Sequence, residues 1–205
     1  MKIWLSDAGK RFNRDWIFRH LSYTFHAGNS YAITGPNGSG KSTLLQLLSG
    51  ALAPSQGKIE WSLQEQAVDA DQVFQQVSIC APYLELIEEM SALEFLNFHG
   101  RFKNFMQGIS TERMLAIIGL QEAAHKQIRY YSSGMKQRVK LAQAIFSDTP
   151  VLLLDEPCTN LDEAGYELYY QLINEYCTGR LVVISSNDEK EFGFCKEKIK
   201  ITEFK

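Results

Sequence analysis

The clearest chemical signal in this sequence of 205 residues is the run Gly35-Pro36-Asn37-Gly38-Ser39-Gly40-Lys41-Ser42-Thr43. It fits the pattern G-x-x-x-x-G-K-[ST], in which glycines let successive backbone N–H groups surround phosphate oxygens. The run lies between a β-prone segment (residues 30–34) and a helical segment (residues 41–49), as the pattern requires. We therefore expect a phosphate-binding loop, with Lys41 bridging the β- and γ-phosphates of a nucleotide and Ser42 ligating Mg²⁺. The alternative is a glycine-rich turn without a ligand.

Two carboxylates, Asp155 and Glu156, follow the continuous apolar run of residues 151–154. Such a run is typical of a buried parallel strand, and ligands bind at the carboxyl ends of strands in open α/β sheets. We expect Asp155 to hold Mg²⁺ through water and Glu156 to orient or deprotonate an attacking water. The alternative is a strand that ends in ordinary turn residues.

A third motif adds a family resemblance. The segment 131–138 is similar to the ABC ATPase signature L-S-G-G-Q-x-Q-R; it matches at Ser132, Gly134, Gln137 and Arg138 and differs at Tyr131, Ser133 and Met135. With the first two motifs, the chain resembles an ABC ATPase cassette over essentially its whole length. The resemblance implies that backbone N–H groups of Ser132, Ser133 and Gly134 bind the γ-phosphate of ATP held by a second subunit. The alternative for this segment is a plain helix N-cap.

Further positions extend the resemblance. Residues 159–162 are similar to the dimer-facing D-loop, with Asp162 in the acidic place. Phe12 lies where the family stacks an aromatic ring on adenine, and Trp16 is a nearby competitor for that role. Either ring could instead belong to the core, because aromatic side chains also serve packing.

Two positions depart from the family pattern. Tyr83 stands where the family usually has a glutamine that links Mg²⁺ and water to the helical lobe. Asn187 stands where the family commonly has a histidine that contacts the γ-phosphate, and its amide can donate a hydrogen bond but cannot carry a proton. We assign Asn187 with Lys41 and Glu156 to the catalytic set and Tyr83 to the metal site, and we expect a functional but slow ATPase.

The elements that must position these residues indicate an α/β fold. Strands are expected at residues 30–34, 57–63, 151–154 and 181–185, and helices at 41–49, 112–118, 134–146 and 163–177. The resemblance implies a P-loop NTPase (RecA-like) core with an N-terminal antiparallel β subdomain and an inserted α-helical lobe. We place the core at residues 1–84 and 131–205 and the lobe at residues 85–130, within a single domain.

The predicted lobe begins with Ser91-Ala92-Leu93-Glu94, which has the spacing of a capping box. Helical spacing then continues through four phenylalanines, Phe95, Phe98, Phe102 and Phe105. We expect them to line one helix face as the core of the lobe, and the alternative is a groove for a helix of a membrane partner.

Composition narrows the class of protein. A formal net charge of −3 argues against a protein that coats DNA or RNA. The four cysteines include no C-x-x-C pair, so we expect reduced, packed thiols. No apolar stretch approaches the length of a bilayer span, and an early aspartate, Asp7, argues against a signal peptide.

The resemblance implies an ATP-binding and ATP-hydrolysing subunit of a membrane transporter, cytoplasmic and peripheral on the inner face of the membrane. Its cofactors are ATP and Mg²⁺, and its partners are a second ATPase subunit and an integral membrane permease, with no nucleic acid. Two alternatives stay open: a soluble ABC ATPase, for example in iron–sulfur assembly, and a regulatory cassette with slow or no turnover. The transported substrate, the direction of transport and the identity of the second subunit stay open as well.

Overall fold

The computed structural model describes residues 1–205 and confirms the α/β class. The strands are β1 (Lys2–Phe12), β2 (Asp15–His26), β3 (Ser30–Thr34), β4 (Gln56–Leu63), β5 (Gln66–Val68), β6 (Val77–Cys80), β7 (Val151–Asp155), β8 (Leu181–Ser185) and β9 (Glu197–Lys200). The helices are α1 (Lys41–Leu48), α2 (Val73–Gln76), α3 (Ala92–His99), α4 (Thr111–Ile117), α5 (Ser133–Ile145), α6 (Glu163–Tyr176) and α7 (Glu189–Phe192). Three short 3₁₀ turns cover Gln121–Ala123, Ile128–Tyr130 and Ile201–Phe204.

Two sheets form the framework. The first has the strand order β2-β1-β4-β5. In it, β1 is antiparallel to both β2 and β4, and β4 is antiparallel to β5. The second has the order β6-β7-β8-β3-β9, with β3 parallel to both β8 and β9 and β7 parallel to β8. The predicted N-terminal antiparallel sheet and parallel core are thus both present.

The antiparallel sheet follows from alternation along its strands. In β1, Ile3 and Leu5 are buried while Lys2 and Trp4 face solvent, the period of two that a half-buried strand requires. Asn13 closes the β1–β2 hairpin with a φ of 54°, a left-handed conformation that asparagine tolerates.

The parallel strands β7 and β8 are buried at every residue, because their neighbours and helices cover both faces. Alternate residues of β3, β7 and β8 join apolar residues of α1 and of the antiparallel sheet in one core. Members of this core include Ile3, Phe18, Tyr31, Leu44, Leu153 and Val183. This packing fixes the carboxyl ends of the parallel strands next to the start of α1.

The chain divides into two compact units. The first contains Met1–Ile79, Thr149–Glu156 and Gly179–Lys205, and the second contains Cys80–Asp148 and Pro157–Thr178. The segment 85–130, predicted as a helical lobe, lies within the second unit, which also contains α5 and α6.

Helix α3 confirms the capping box and corrects the phenylalanine prediction. Ser91 Oγ accepts from the N–H of Glu94 at 3.3 Å, and the N–H of Ser91 donates to Glu94 Oε2 at 2.8 Å. The helix ends at His99 with Gly100 as its C-cap, so the expected stripe through Phe102 and Phe105 is wrong. Glycine has poor helix propensity and favours this end.

The two phenylalanines beyond the helix have different surroundings. Phe102 is 74% exposed and packs edge-on against Phe98, with ring centroids 5.0 Å apart. Phe105 bridges to Ser147 through backbone pairing and contacts the ring of His99. Only Phe95 of the four is buried, so the stripe does not form the core of the lobe.

All four cysteines are free, and Cys80, Cys158 and Cys177 are buried, as expected for packed thiols. None of the helices combines the length and the apolar composition that a membrane span needs.

Candidate functional site

The loop of residues 35–40 leaves β3 and enters α1, the context predicted from the sequence. Gly35, Gly38 and Gly40 adopt φ values of 149°, 75° and 105°, which favour glycine. A Cβ on Gly40 would lie 2.4 Å from Ile17 Cγ2, so the loop also passes too close to β2 for any side chain. The N-terminus of α1 has no side-chain cap, which leaves its first N–H groups available to an anion.

Two polar side chains of the loop are buried in an unusual way. Lys41 is only 5% exposed, and its Nζ donates to the carbonyl oxygens of Gly35 at 2.8 Å and of Pro36 at 3.5 Å. Ser39 Oγ is buried and has no hydrogen-bond partner. A buried hydroxyl without a partner is costly, so its place suits a ligand oxygen.

A cavity of about 240 Å³ opens over this loop. It brings together several predicted residues and one that the sequence analysis missed; its lining is Ile17, Asn37, Gly38, Gly40, Lys41, Ser42, Thr43 and Glu156. Ile17 is the missed residue. Its apolar type and its place in a strand resemble those of any core position, so no sequence signal separated it from the core.

The carboxylates lie at the end of β7. Asp155 is 3% exposed and is in register with Ser185 of β8, whose buried Oγ has no partner. The N–H of Glu156 donates to the carbonyl of Ser185 at 2.8 Å. Glu156 has a φ of 45°, which is unusual for a non-glycine residue. It directly precedes Pro157, and a proline restricts the backbone of the residue before it. The hydrogen bond to Ser185 holds the backbone in this strained conformation, and Glu156 lines the cavity over the loop.

Asn187 reaches the loop from the segment after β8. Its Nδ2 donates to Asn37 Oδ1 at 3.0 Å, and its Oδ1 accepts from the N–H of Gly35 at 3.4 Å. The structure therefore brings Asn187 to the phosphate loop, and both polar ends of its amide are engaged there.

The two aromatic candidates differ in their surroundings. Trp16 is partly buried between the guanidinium groups of Arg11 and Arg19, at 5.6 Å and 5.4 Å from its ring centroid. Phe12 is 47% exposed, with Lys10 Nζ 5.3 Å from its ring centroid. Neither ring lines the cavity over the phosphate loop.

In the second unit, the turn of Ser132, Ser133 and Gly134 begins α5 and leaves both serines exposed. Ser132 Oγ caps the helix by accepting from the N–H of Met135 at 3.2 Å. A Cβ on Gly134 would lie 3.0 Å from the carbonyl oxygen of Asn160, so a glycine suits this close approach. A separate cavity of about 440 Å³ opens at this turn and is also lined by Arg138 and residues 160–162.

Two side chains of α5 connect it to the segment before α6. Arg138 Nη2 lies 3.6 Å from the Asp162 carboxylate, and Asp162 also caps α6 by accepting from the N–H of Gly165 at 2.9 Å. Gln137 is buried, and its Nε2 donates to the carbonyl of Pro157 at 2.6 Å. The sequence analysis matched Gln137 to the signature but did not predict this contact with the segment after Glu156.

Tyr83 belongs to the second unit, on the segment after β6, and its side chain is 46% exposed. The phosphate loop, Asp155 and Asn187 belong to the first unit.

Comparison with known proteins identifies relatives of this chain. The family described as ABC transporter matches residues 18–159. The chain is 38% identical over 159 residues to the uncharacterized ABC transporter ATP-binding protein YxlF of Bacillus subtilis, covering 76% of this chain and about half (52%) of that protein. It is 34% identical over 173 residues to the cytochrome c biogenesis ATP-binding export protein CcmA of Brucella abortus, covering 82% of this chain and 76% of that protein.

Solved structures share the fold. An ATP-binding subunit of an ABC transporter superposes with a TM-score of 0.83 at 20% identity, over 98% of this chain and 87% of that one. A bacterial Atm1-family ABC exporter with ATP bound superposes with a TM-score of 0.81 at 18% identity, over 98% of this chain and 37% of that one. The architecture is thus the P-loop NTPase fold that the sequence predicted.

Proposed function

The chain belongs to the ABC transporter family, whose ATP-binding domains are ATPases, and from that premise we propose that it is the motor subunit of a membrane transporter. In this proposal ATP binding drives dimerisation with a second ATPase subunit, and hydrolysis reverses it. One observation carries the proposal. The first unit contains a glycine-rich loop with a buried lysine, and the second presents an exposed helix N-terminus at Ser132. In this proposal each is half of a nucleotide site that a second subunit completes.

The phosphate loop fits a nucleoside triphosphate. The buried Ser39 hydroxyl has no partner, and the Lys41 ammonium rests on carbonyl oxygens of its own loop. A phosphate group offers oxygens to both, and the uncapped N-terminus of α1 favours the same negative charge. The phosphate oxygens of ATP therefore supply hydrogen-bond acceptors for the Ser39 hydroxyl and the Lys41 ammonium.

The oxygen donors fit Mg²⁺. The Ser42 hydroxyl and the Asp155 carboxylate are the hard oxygen ligands that this ion prefers. The chain contains no cluster of three or more His, Cys, Asp or Glu side chains arranged for a metal. Phosphate oxygens and waters must therefore complete the shell, as is usual for Mg²⁺, which neutralises charge on the phosphates when bound. We assign the Tyr83 phenol, in place of the family's glutamine amide, to this shell.

We assign the proton-handling role to Glu156. Its carboxylate lines the cavity over the loop, and its strained backbone is held by the hydrogen bond to Ser185 and by the following proline. It orients or deprotonates the water that attacks the γ-phosphate. Lys41 and the neutral Asn187 amide stabilise charge on the phosphates, Lys41 as a cation and Asn187 as a donor.

For the adenine ring we assign Phe12 rather than Trp16. The Trp16 indole is already held between Arg11 and Arg19, whereas the Phe12 ring is about half exposed. Stacking on adenine covers apolar ring surface that the free chain leaves in water. Ile17, which lines the cavity over the loop, provides an apolar wall beside it.

The permease contact is proposed for apolar side chains of the second unit. Besides Tyr83, which is assigned to the metal shell, its exposed large apolar residues include Leu84, Ile87, Phe98 and Phe102. Phe98 and Phe102 are adjacent, with ring centroids 5.0 Å apart, and adjoining exposed apolar side chains are typical of interaction surfaces. In this proposal the protein is cytoplasmic and peripheral on the inner face of the membrane. The net charge of −3 does not favour a nucleic-acid partner.

A second candidate function is a regulatory cassette with slow turnover. Two departures from the family pattern favour it. The Tyr83 phenol lacks the amide of the family's glutamine, and the Asn187 amide cannot carry the charge of the family's histidine. ATP binding alone then switches the dimer, and the hydrolysis rate separates the two candidates.

The test is steady-state ATP hydrolysis by the purified protein beside its Glu156→Gln variant. The variant keeps the shape of the side chain but loses its basicity, and general-base catalysis contributes about 10²–10⁴-fold. We expect Glu156→Gln to bind ATP normally and to lose at least about 100-fold in turnover. Equal hydrolysis by both proteins would remove Glu156 from the mechanism. ATP binding without turnover in the wild type would support the regulatory cassette.

Co-purification with an integral membrane protein from the native cell tests the proposed permease contact.

A further inference from the structure

Asn187 makes two contacts with the phosphate loop that do not involve a γ-phosphate. The amide oxygen accepts from the N–H of Gly35 at 3.4 Å, and the amide nitrogen donates to Asn37 Oδ1 at 3.0 Å. Gly35 begins the loop and Asn37 is its third residue, so one side chain ties two points of the loop together.

The backbone around Asn187 is itself held in place. The N–H of Asp188 donates to Ser186 Oγ at 2.9 Å, and Asp188 Oδ1 accepts from the N–H of Lys190 at 2.9 Å. Ser186 is buried, and its N–H donates to the carbonyl of Ile33 in β3 at 3.2 Å. The side chain therefore projects from a turn anchored to the same strand that leads into the phosphate loop.

These contacts are compatible with a bound phosphate. The N–H of Gly35 and the carboxamide of Asn37 are on the entering half of the loop, before the α1 N–H groups that point at an anion. The carboxamide nitrogen of Asn187 has two N–H hydrogens, and only one of them donates to Asn37 Oδ1. The brace can therefore persist when nucleotide is present.

We propose that Asn187 is a positioning residue that braces the phosphate loop for any nucleotide carrying a β-phosphate, and not only a contact to the γ-phosphate. This inference rests on the proposed function, since it concerns the same nucleotide site.

A histidine at this position could not brace the loop in this way at every pH. A neutral imidazole has one donor and one acceptor, and a protonated imidazole has no acceptor for the N–H of Gly35. An asparagine does not titrate, so the brace is independent of pH.

The experiment compares ADP with a non-hydrolysable ATP analogue by titration calorimetry. The proteins are the wild type, Asn187→Ala, Asn37→Ala, the double variant, and Asn174→Ala as a control at an exposed position of α6. Loss of one or two hydrogen bonds corresponds to about a three- to tenfold weaker affinity. We expect Asn187→Ala to weaken ADP by this factor and the analogue by at least the same factor, and the double variant to be little weaker than Asn187→Ala. Asn174→Ala should match the wild type.

The outcomes separate the brace from its rivals. If Asn187→Ala weakens only the ATP analogue, Asn187 is a γ-phosphate contact and the brace is overturned. Unchanged affinity for both nucleotides overturns it as well. A wild type that binds neither nucleotide overturns the proposed function itself, which is a different failure.

A second variant tests the pH argument. Relative to the wild type at each pH, Asn187→His should lose ADP affinity as pH drops from 7.5 to 5.5 through about 6.5, the ordinary pKa of histidine. Taking this ratio removes the titration of the terminal phosphate of ADP, whose second pKa is about 6. A ratio that does not change with pH would show that the N–H of Gly35 does not depend on an acceptor at this position, and the brace would then be wrong. Melting temperatures of all variants confirm that they are folded.

Discussion

At the scale of single residues, the phosphate loop combines conformational need with close packing. Gly40 has a φ of 105°, and a Cβ there would lie 2.4 Å from Ile17 Cγ2. The sequence motif predicted a glycine at this position because the phosphate loop needs a backbone conformation that favours glycine. It could not predict Ile17, because the contact joins the loop to a strand more than twenty positions earlier and an isoleucine in a strand carries no special signal.

Substitution of Gly40 by alanine should weaken nucleotide binding by at least about tenfold, because left-handed backbone costs an L-residue roughly 1–2 kcal/mol and the clash with Ile17 adds to it. The control is Gly179→Ala, which has a φ of 81° but no atom within 4 Å of the added Cβ. We expect Gly179→Ala to lose stability with unchanged affinity for nucleotide. The double variant Gly40→Ala with Ile17→Ala should recover part of the affinity, as measured by calorimetry. No recovery would mean that backbone strain alone limits the loop.

The aromatic candidates show a second limit of residue-level reasoning. The sequence placed Phe12 and Trp16 near the adenine site but could not rank them on packing. Arg11 reaches the Trp16 ring because the two residues pair across β1 and β2, and Arg19 contacts the same ring from within β2. That register depends on the bulges of β1 between Leu5 and Arg11, which have no signal that the sequence analysis used.

At the scale of elements, local signals predicted the start of α3 but not its end. Ser91 and Glu94 form the reciprocal cap that their spacing indicated, and the strands β3 and β8 have the expected bounds. The spacing of phenylalanines after His99 suggested a longer helix. Gly100 ends it, and Phe105 instead pairs with Ser147, a partner that no local pattern reveals.

The cap of α3 should be worth more than the cap of α4. Ser91 is buried and makes both halves of a capping box, whereas Ser110 is exposed and caps α4 only by accepting from the N–H of Arg113. We expect Ser91→Ala to lower the free energy of unfolding by about 1–2 kcal/mol and Ser110→Ala by about half as much. Urea denaturation of both variants measures the difference. An equal loss would mean that the burial of Ser91 and the additional hydrogen bond from its hydroxyl to Glu94 contribute nothing.

His99 gives the contact between α3 and α5 a pH dependence. Its Nδ1 lies 3.0 Å from Gln143 Nε2 and its Nε2 lies 3.3 Å from Ser147 Oγ, so the neutral tautomer with a proton on Nε2 suits both partners. Burial, with a smaller effect of Lys103, lowers the pKa of His99 from 6.5 to about 4. The unfolded chain then binds more protons than the folded one between these values, so stability falls as pH decreases from about 6.5 towards about 4.

We expect His99→Gln to flatten this part of the stability profile. The free energy of unfolding, measured by urea denaturation from pH 7.5 to 4.5, should fall less steeply for His99→Gln than for the wild type. The exposed His125→Gln variant, in the same unit, is the control and should keep the wild-type slope. If the slope of His99→Gln equals that of the wild type, other groups account for the acid sensitivity.

At the scale of the whole molecule, the two segments predicted to contact phosphate belong to different compact units. The loop of residues 35–43 is in the first unit, and the turn of Ser132 to Gly134 is in the second. The sequence could predict that both exist, because each has a local pattern. That the turn serves the ATP of a second subunit is implied only by the family resemblance, and it stays a prediction, because no local pattern describes contacts between chains.

The dimer proposal yields a direct test at this scale. Ser133→Glu places a carboxylate on an exposed turn that we propose faces the γ-phosphate of the partner's ATP, where like charges repel. In a Glu156→Gln background, which retains bound ATP, the protein should dimerise with ATP and Mg²⁺ in light scattering. The additional Ser133→Glu change should leave it monomeric at the same concentration, with ATP binding to the phosphate loop unchanged. Thr178→Glu, an exposed charge at the end of α6 in the same unit, is the matched control and should still dimerise. Dimers of the Ser133→Glu protein would show that the turn lies outside the subunit interface, and the motor would then need a different pairing.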